Sequence, residues 1–306
     1  MSIVIFGAGL SGLIAATQFP SSTIFEASEE NRDSHKALLR FRTENLSRLT
    51  GIPFRKVNVR KSIWFDGRHE APNIRLANMY SIKTNGSYLD RSIWNTEPCE
   101  RFIAPEDLQA QLIEQVGRRI NWASPVLKEE LADIETPIIS TMPMPTLMSL
   151  LGMPLPGEFK HQPITVDRMR VHNANVHQTI YFPDKDQPAY RASITGDLLI
   201  IERKGELSNS ALSDLLEAFG IRQSDVSMSS AEFGHVQRFG KIQPILDTWR
   251  RQTIFNITRE HNIYSLGRFA VWRNILLDDV VEDVAVIKRI ISGGKYSAAL
   301  QHHQKG

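Results

Sequence analysis

The chain opens on a short apolar run, Ile3-Val4-Ile5-Phe6, whose lack of polar alternation predicts a strand buried on both faces. Three spaced glycines follow in Gly7-Ala8-Gly9-Leu10-Ser11-Gly12, and the apolar stretch 13–19 then reads as a helix ended by Pro20. Residues 23–25 predict a second strand, which terminates in Glu26. Further on, Leu108, Leu112, Ile113 and Val116 recur at helical spacing until Gly117 stops them. Residues 120–127 and 134–142 read as strands, the second running into the small-residue turn Ser140-Thr141-Met142-Pro143. From 165 to 203 strict alternation takes over, predicting antiparallel strands joined by a loop at 184–188. A helix is expected at 210–219 and another strand at 227–239. Residues 263–266 form a last strand that leads into Gly267-Arg268, followed by a helix from about Asp279 with Val280, Val284 and Ile287 on one face. Asp278 is its expected N-cap.

The first unit, strand–GxGxxG–helix–strand–acid, has a physical reason at each position. Gly7 permits the tight turn, Gly9 lets a pyrophosphate approach the backbone, and Gly12 lets the helix pack closely on the strand. The helix N-terminus at Leu10 and Ser11 offers free N–H groups and a partial positive charge to phosphates. Glu26 can accept hydrogen bonds from both ribose hydroxyls and would repel a 2′-phosphate. The motif alone separates neither FAD from NAD. The second glycine-bearing turn at Gly267-Arg268, feeding a second helix through Leu277 and Asp278, is what an extended two-part cofactor such as FAD requires. Val126 on the 120–127 strand and Thr141 in the small-residue turn complete the expected cofactor contacts. The reading is therefore α/β: a Rossmann-like FAD-binding domain over 1–62, 100–155 and 255–298, with an inserted β-rich substrate domain over 63–99 and 156–254. Residues 299–306 are expected to form a flexible tail.

Composition narrows the setting. The chain of 306 residues is 42% hydrophobic and 23% charged, which excludes a disordered chain, and its net charge of +2 excludes a histone-like binder. No window approaches the 18 uninterrupted apolar residues of a membrane span. The single cysteine, Cys99, excludes a disulfide framework and points to a reducing, cytoplasmic setting. The histidines show no ligand spacing, so no metal is expected. Charge is nevertheless uneven: residues 32–75 hold eleven basic residues against four acidic ones, a surplus of seven that leaves −5 for the remainder. That segment is either a solvated face or the contact for an anionic partner, a nucleotide-like small molecule or nucleic acid. Phe41, Phe54, Trp64 and Phe65 are interleaved with it, in the core or available to stack on bases.

GAGLSGL with Glu26 resembles the flavin amine oxidases and the UDP-galactopyranose mutases. The C-terminal run of Gly267, Arg268, Ala270, Trp272, Arg273, Leu277 and Asp278 resembles the mutase pattern more specifically. The segment IYFPDKDQPAYRASI resembles a mutase segment in which the residues at Tyr190 and Arg191 face flavin and substrate, and FGKIQPI is a weaker match. The resemblance implies FAD, a pyrophosphate contact from Arg40 or Arg42, an anion contact from Arg191, and a lysine beside flavin N5, for which Lys241 is the candidate. Tyr190 and Trp272 either wall the space before the isoalloxazine ring or pack in the core. The His-Ile-Phe-His motif of the mutases has no counterpart, and the chain is shorter than theirs. The expected activity is therefore amine-oxidase-like hydride transfer from a C–N bond to flavin N5, with mutase or lyase chemistry through reduced flavin as the alternative.

Overall fold

The computed structural model describes residues 2–32, 35–88, 93–132, 134, 136–155, 157 and 159–303. The strands run β1 (Ile3–Phe6), β2 (Ser22–Phe25), β3 (Arg40–Phe41), β4 (Arg55–Phe65), β5 (Arg68–Glu70), β6 (Cys99–Ile103) and β7 (Ile120–Asn121). They continue as β8 (Ile138–Ser140), β9 (His161–Val171), β10 (Val176–Tyr181), β11 (Ala189–Gly196), β12 (Leu198–Arg203), β13 (Val226–Ile242) and β14 (Ile263–Ser265). The helices are α1 (Leu10–Gln18), α2 (Asn45–Thr50), α3 (Ile74–Asn85), α4 (Leu108–Val116) and α5 (Lys128–Ala132). After them come α6 (Met144–Leu150), α7 (Asn209–Ala218), α8 (Asp247–His261) and α9 (Leu277–His303).

Two sheets organise the molecule. The first is parallel, in the order β14-β8-β1-β2-β7, with Ile5 in register between Ile24 and Ile139. Its apolar alternation is used on both faces. Ile3 and Ile5 join Leu13, Leu112 and Val284 from α1, α4 and α9, while Phe6 joins Leu147 and Ile257 from α6 and α8. Covered on both sides, the strands have no need of polar positions. The second sheet has nine strands, in the order β13-β9-β12-β11-β10-β4-β6-β3 with β5 on β4. Helix α7 packs Leu212 and Leu215 on one of its faces, and α3 packs Leu76 and Tyr80 on the other.

The predicted strand at 120–127 shrinks to β7, because Ala123 takes a left-handed turn (φ 50) and Ser124 N donates to Glu26 O at 2.8 Å. The strand expected at 134–142 shortens to β8, and residue 135 within that range lies outside the described residues. The 62/63 boundary drawn from sequence falls inside β4, and 254/255 falls inside α8. Residues 40–41 and 55–62 pair within the second sheet, through β3 with β6 and β4 with β6 and β10. Helix α9 begins at Leu277 and continues through His303 into the stretch expected as a tail, and residues 304–306 lie outside the described residues. Asp278 is inside its first turn and not its cap: Asp279 reaches back to Leu276 N at 2.7 Å, the carboxylate half of a capping box. Helices α3 and α8 carry no clear sequence signal. The buried side of α8 includes Arg250 and Thr253, so its apolar stripe is broken.

Two lysines fix α3 over the hairpin that carries Tyr190 and Arg191. Lys83 Nζ donates to Phe182 O, Asp184 O and Ala189 O at 2.7, 2.6 and 2.7 Å. Lys204 Nζ donates to Lys83 O and Thr84 O, each at 2.9 Å, satisfying carbonyls at the end of the helix. Lys83→Met strands three carbonyls in a largely enclosed loop, each loss worth about 1 kcal/mol or more. Thermal denaturation should show a melting temperature lower by roughly 5 °C or more; an unchanged value would remove Lys83 from this role.

Candidate active site

The C-terminal ends of β1, β8 and β14 meet where the chain order reverses across the parallel sheet, the usual place for a ligand crevice in such folds. Their turns are so close that side chains are excluded. A Cβ on Gly12 would lie 1.9 Å from Gly7 O, one on Gly7 (φ +97) 2.3 Å from Thr141 Oγ1, and one on Gly267 (φ +90) 2.5 Å from Ser11 Oγ. Thr141 locks the junction, its N and Oγ1 both donating to Phe6 O at 2.9 and 2.8 Å. Gly9 differs: nothing lies within 4 Å of where its Cβ would stand. It begins α1, no side chain caps that helix, and Gly9, Leu10 and Ser11 line a cavity of about 720 Å³ that lies between the two sheets.

Most of the sequence-predicted residues face this cavity. Thr141, Arg268, Leu277 and Asp278 line it from the parallel-sheet side, and Arg191 and Lys241 from the second sheet. The first turns of α1 and α9 thus open on one space. Glu26 lies behind the glycine turn, its carboxylate accepting Ala8 N at 2.7 Å, Ser28 N at 3.0 Å and Ser28 Oγ at 2.7 Å. Val126 is half-buried and packs with the core on the Phe6 side of the sheet.

Several expected roles change. The Arg40 guanidinium turns into the second sheet, donating to Thr179 Oγ1 at 2.7 Å and Ile194 O at 2.5 Å. Burial there, with Arg191 nearby, pushes it down to about 10. Arg42 pairs with Asp279 at 2.5 Å, so it braces α9. Asp278 is buried and accepts Arg42 N and Thr43 N, each at 3.0 Å, so its carboxylate ties two chain segments together beside the cavity. Trp272 (φ 45) lies in the core: its Nε1 donates to Gln243 O at 3.0 Å and its ring meets Phe159 edge-on at 4.9 Å. Tyr190 is fully buried, with Lys241 Nζ 4.4 Å from its ring centroid, and burial pushes its phenol up. Neither aromatic lines the cavity; both support residues that do.

The sequence reading missed Glu202, His35 and His235, which line the same cavity. Glu202 ends the apolar run LLIIE on β12, an acid where the pattern predicts a buried apolar position. Arg191, its partner on β11, holds it through Nε and, at 2.7 Å, through Nη2. Burial opposes both charges, yet the pair holds the Glu202 carboxyl below the usual carboxylate range and Arg191 well above its own. Burial pushes the His35 imidazole down to about 4, with Glu202 opposing and His235 and Arg168 adding.

FAD fits these residues. The uncapped start of α1 and the open face of Gly9 suit a pyrophosphate, and Glu26 retains acceptor capacity for a ribose beyond the three bonds it makes. No protein-family model and no curated protein matches the sequence. Among solved structures, a reduced UDP-galactopyranose mutase superposes with a TM-score of 0.66 over 95% of each chain at 14% identity. A CLA-producing fatty acid isomerase from P. acnes gives 0.58 at 11% identity, covering 94% of this chain and 98% of its own. Klebsiella pneumoniae HpxO complexed with FAD and uric acid gives 0.50 at 15% identity, covering 95% and 78%. The fold is that of Rossmann-like flavoproteins.

The two glycines separate binding from folding. Gly9→Val should keep the melting temperature within a few degrees and lose bound flavin, whereas Gly12→Val should lower both; flavin retained by Gly9→Val would contradict the placement. His35 gives a pH signature. Its folded value lies below the ordinary 6.5, so the unfolded chain holds the extra proton between about 6.5 and 4, and stability falls as pH drops through that window. Urea midpoints at pH 7 and 5 should differ less in His35→Gln than in the parent chain; equal differences would refute this.

Proposed function

We propose that the chain is an FAD-dependent enzyme that oxidises a carbon–nitrogen bond in an anionic substrate. The observation carrying this reading is the charge of the cavity wall: Arg191, Arg238, Lys241 and Arg268 line it against Glu202 and Asp278. A surplus of positive charge in a partly enclosed space favours an anionic ligand. FAD, when bound, supplies the hydride acceptor. Arg191, held rigid by Glu202, and Lys241, held over the Tyr190 ring, lie on the second sheet across from the glycine turn. That position suits them to orient the substrate's anionic group. The neutral His35 imidazole offers a hydrogen-bond acceptor to the amine. The substrate amine would lose a hydride from carbon to the flavin and a proton from nitrogen to solvent, leaving an imine, and dioxygen would take the two electrons from the flavin as peroxide.

A second reading, reduced-flavin chemistry without net oxidation, is supported by the likeness to a reduced mutase over 95% of both chains. The two readings part in one assay. Amine-dependent peroxide release under air, with carboxylate- or phosphate-bearing amines preferred over neutral ones, is expected for the oxidase. Lys241→Gln should keep its flavin and raise KM for the anionic amine about tenfold. Turnover seen only after dithionite reduction would replace the first reading by the second.

A further inference from the structure

Six of the eleven basic residues in 32–75 pair with carboxylates within the fold, Arg32 with Glu30 among them. Lys36 pairs with Glu232, Arg42 with Asp279, Arg48 with Glu44, Lys56 with Glu100 and Arg68 with Glu70. Among the described residues, Arg55, Arg60 and Lys61 on β4 have no carboxylate within ion-pair distance, and neither has Arg101 on the neighbouring β6; Arg60 stands alone on its face beside the paired Lys56, whereas the others share one face. Strand alternation puts Arg55, Val57, Val59 and Lys61 on one face, with Val59 buried beneath the longer side chains, and register places Arg101 beside Val57 on that same face. His177 joins them, its Nε2 3.4 Å from Arg55 Nη2. From Arg55 to Lys61 the strand extends about 20 Å, room for several successive phosphates. Lys56 and Arg60 point to the opposite face.

The interleaved aromatics are engaged elsewhere. Phe41 and Phe54 pack together at 5.0 Å, Trp64 Nε1 donates to Asp214 at 2.9 Å, and Phe65 lies under Arg75. What this face offers is therefore charge without a stacking platform, which is recognition of a backbone and not of bases. The face also leads to the site. Arg55 lines a second cavity of about 380 Å³, and His35, Ala37, Leu38 and Leu39 wall both that cavity and the larger one. The acids in the second cavity, Glu106 and Asp197, are engaged by Arg168 and Arg170.

We propose that the Arg55–Lys61–Arg101 face binds the phosphodiester backbone of a nucleic-acid strand, so that the anionic group of the substrate belongs to a polynucleotide. The inference rests on reading the larger cavity as the active site. The test is fluorescence anisotropy of the flavin-loaded protein with a fluorescein-labelled 20-nucleotide single-stranded DNA, at 50 and 200 mM salt, with dTMP as competitor. Three backbone contacts predict a slope of log K against log salt of about −2. Lys61→Glu with Arg101→Glu should weaken binding at least tenfold. The charge-matched Lys56→Glu with Arg60→Glu, on the opposite face, should change it by no more than about twofold. Arg55→Glu, at an exposed position, repeats the test should the first double variant fold poorly. Absent binding at 50 mM salt, equal losses on both faces, or displacement by dTMP at the concentration of oligonucleotide phosphate would overturn the proposal. Flavin content measured on the same samples separates this outcome from failure of the flavoenzyme reading: yellow protein that ignores DNA refutes only the nucleic-acid contact.

Discussion

Three turns meet at the C-terminal ends of β1, β8 and β14 with no space for a side chain at Gly7, Gly12 or Gly267, and the placement of the site follows from that contact. Gly12 sits against Gly7 O, Gly7 against Thr141, and Gly267 against Ser11. This approach brings the ends of β1, β8 and β14 together and starts α1 directly beneath them. It also leaves Gly9 as the glycine of the motif that faces open space. Arg42 and Asp278 then bind α9 to the segment after β3, so a second helix begins beside the same cavity. The site is a property of backbone packing first and of side chains second.

The second sheet supplies the opposite wall, and its chemistry has a different logic. Burying Glu202 with Arg191 costs desolvation that the pair's attraction offsets only with good geometry, and two apolar residues would serve stability as well or better. Glu202 is buried and Arg191 half-buried at the cavity wall, so stability alone does not call for this pair, and its place suits a charged ligand. Tyr190 and Trp272 belong to the support of this wall. Tyr190 lies beneath Lys241, and Trp272 fills the core next to Phe159 and Phe239.

The parts of the fold governed by local rules were readable from the sequence. The GxGxxG unit, the apolar strands and the alternating block at 165–203 appear where their periodicities put them, because each depends on residues close in the chain. What depended on distant partners was not readable. Asp278 looked like a cap, but its carboxylate is claimed by Arg42 and Thr43, more than two hundred positions away. Arg40 looked like a pyrophosphate contact, but β10 and β11 offer it acceptors first. The basic surplus at 32–75 was countable, yet only tertiary pairing separates Arg55, Arg60 and Lys61 from neighbours such as Lys56 and Arg68 that are already neutralised. Glu202 left a trace, an acid closing an apolar strand, whose meaning required Arg191 on the next strand.

Every functional role proposed for these residues depends on this backbone junction holding FAD. Titrating the flavin-stripped protein into FAD while following flavin fluorescence and visible absorbance measures it directly. Saturation at one FAD per chain is expected, with altered fluorescence and resolved flavin bands. A titration that leaves the spectrum of free FAD unchanged, with protein that remains folded, would contradict it.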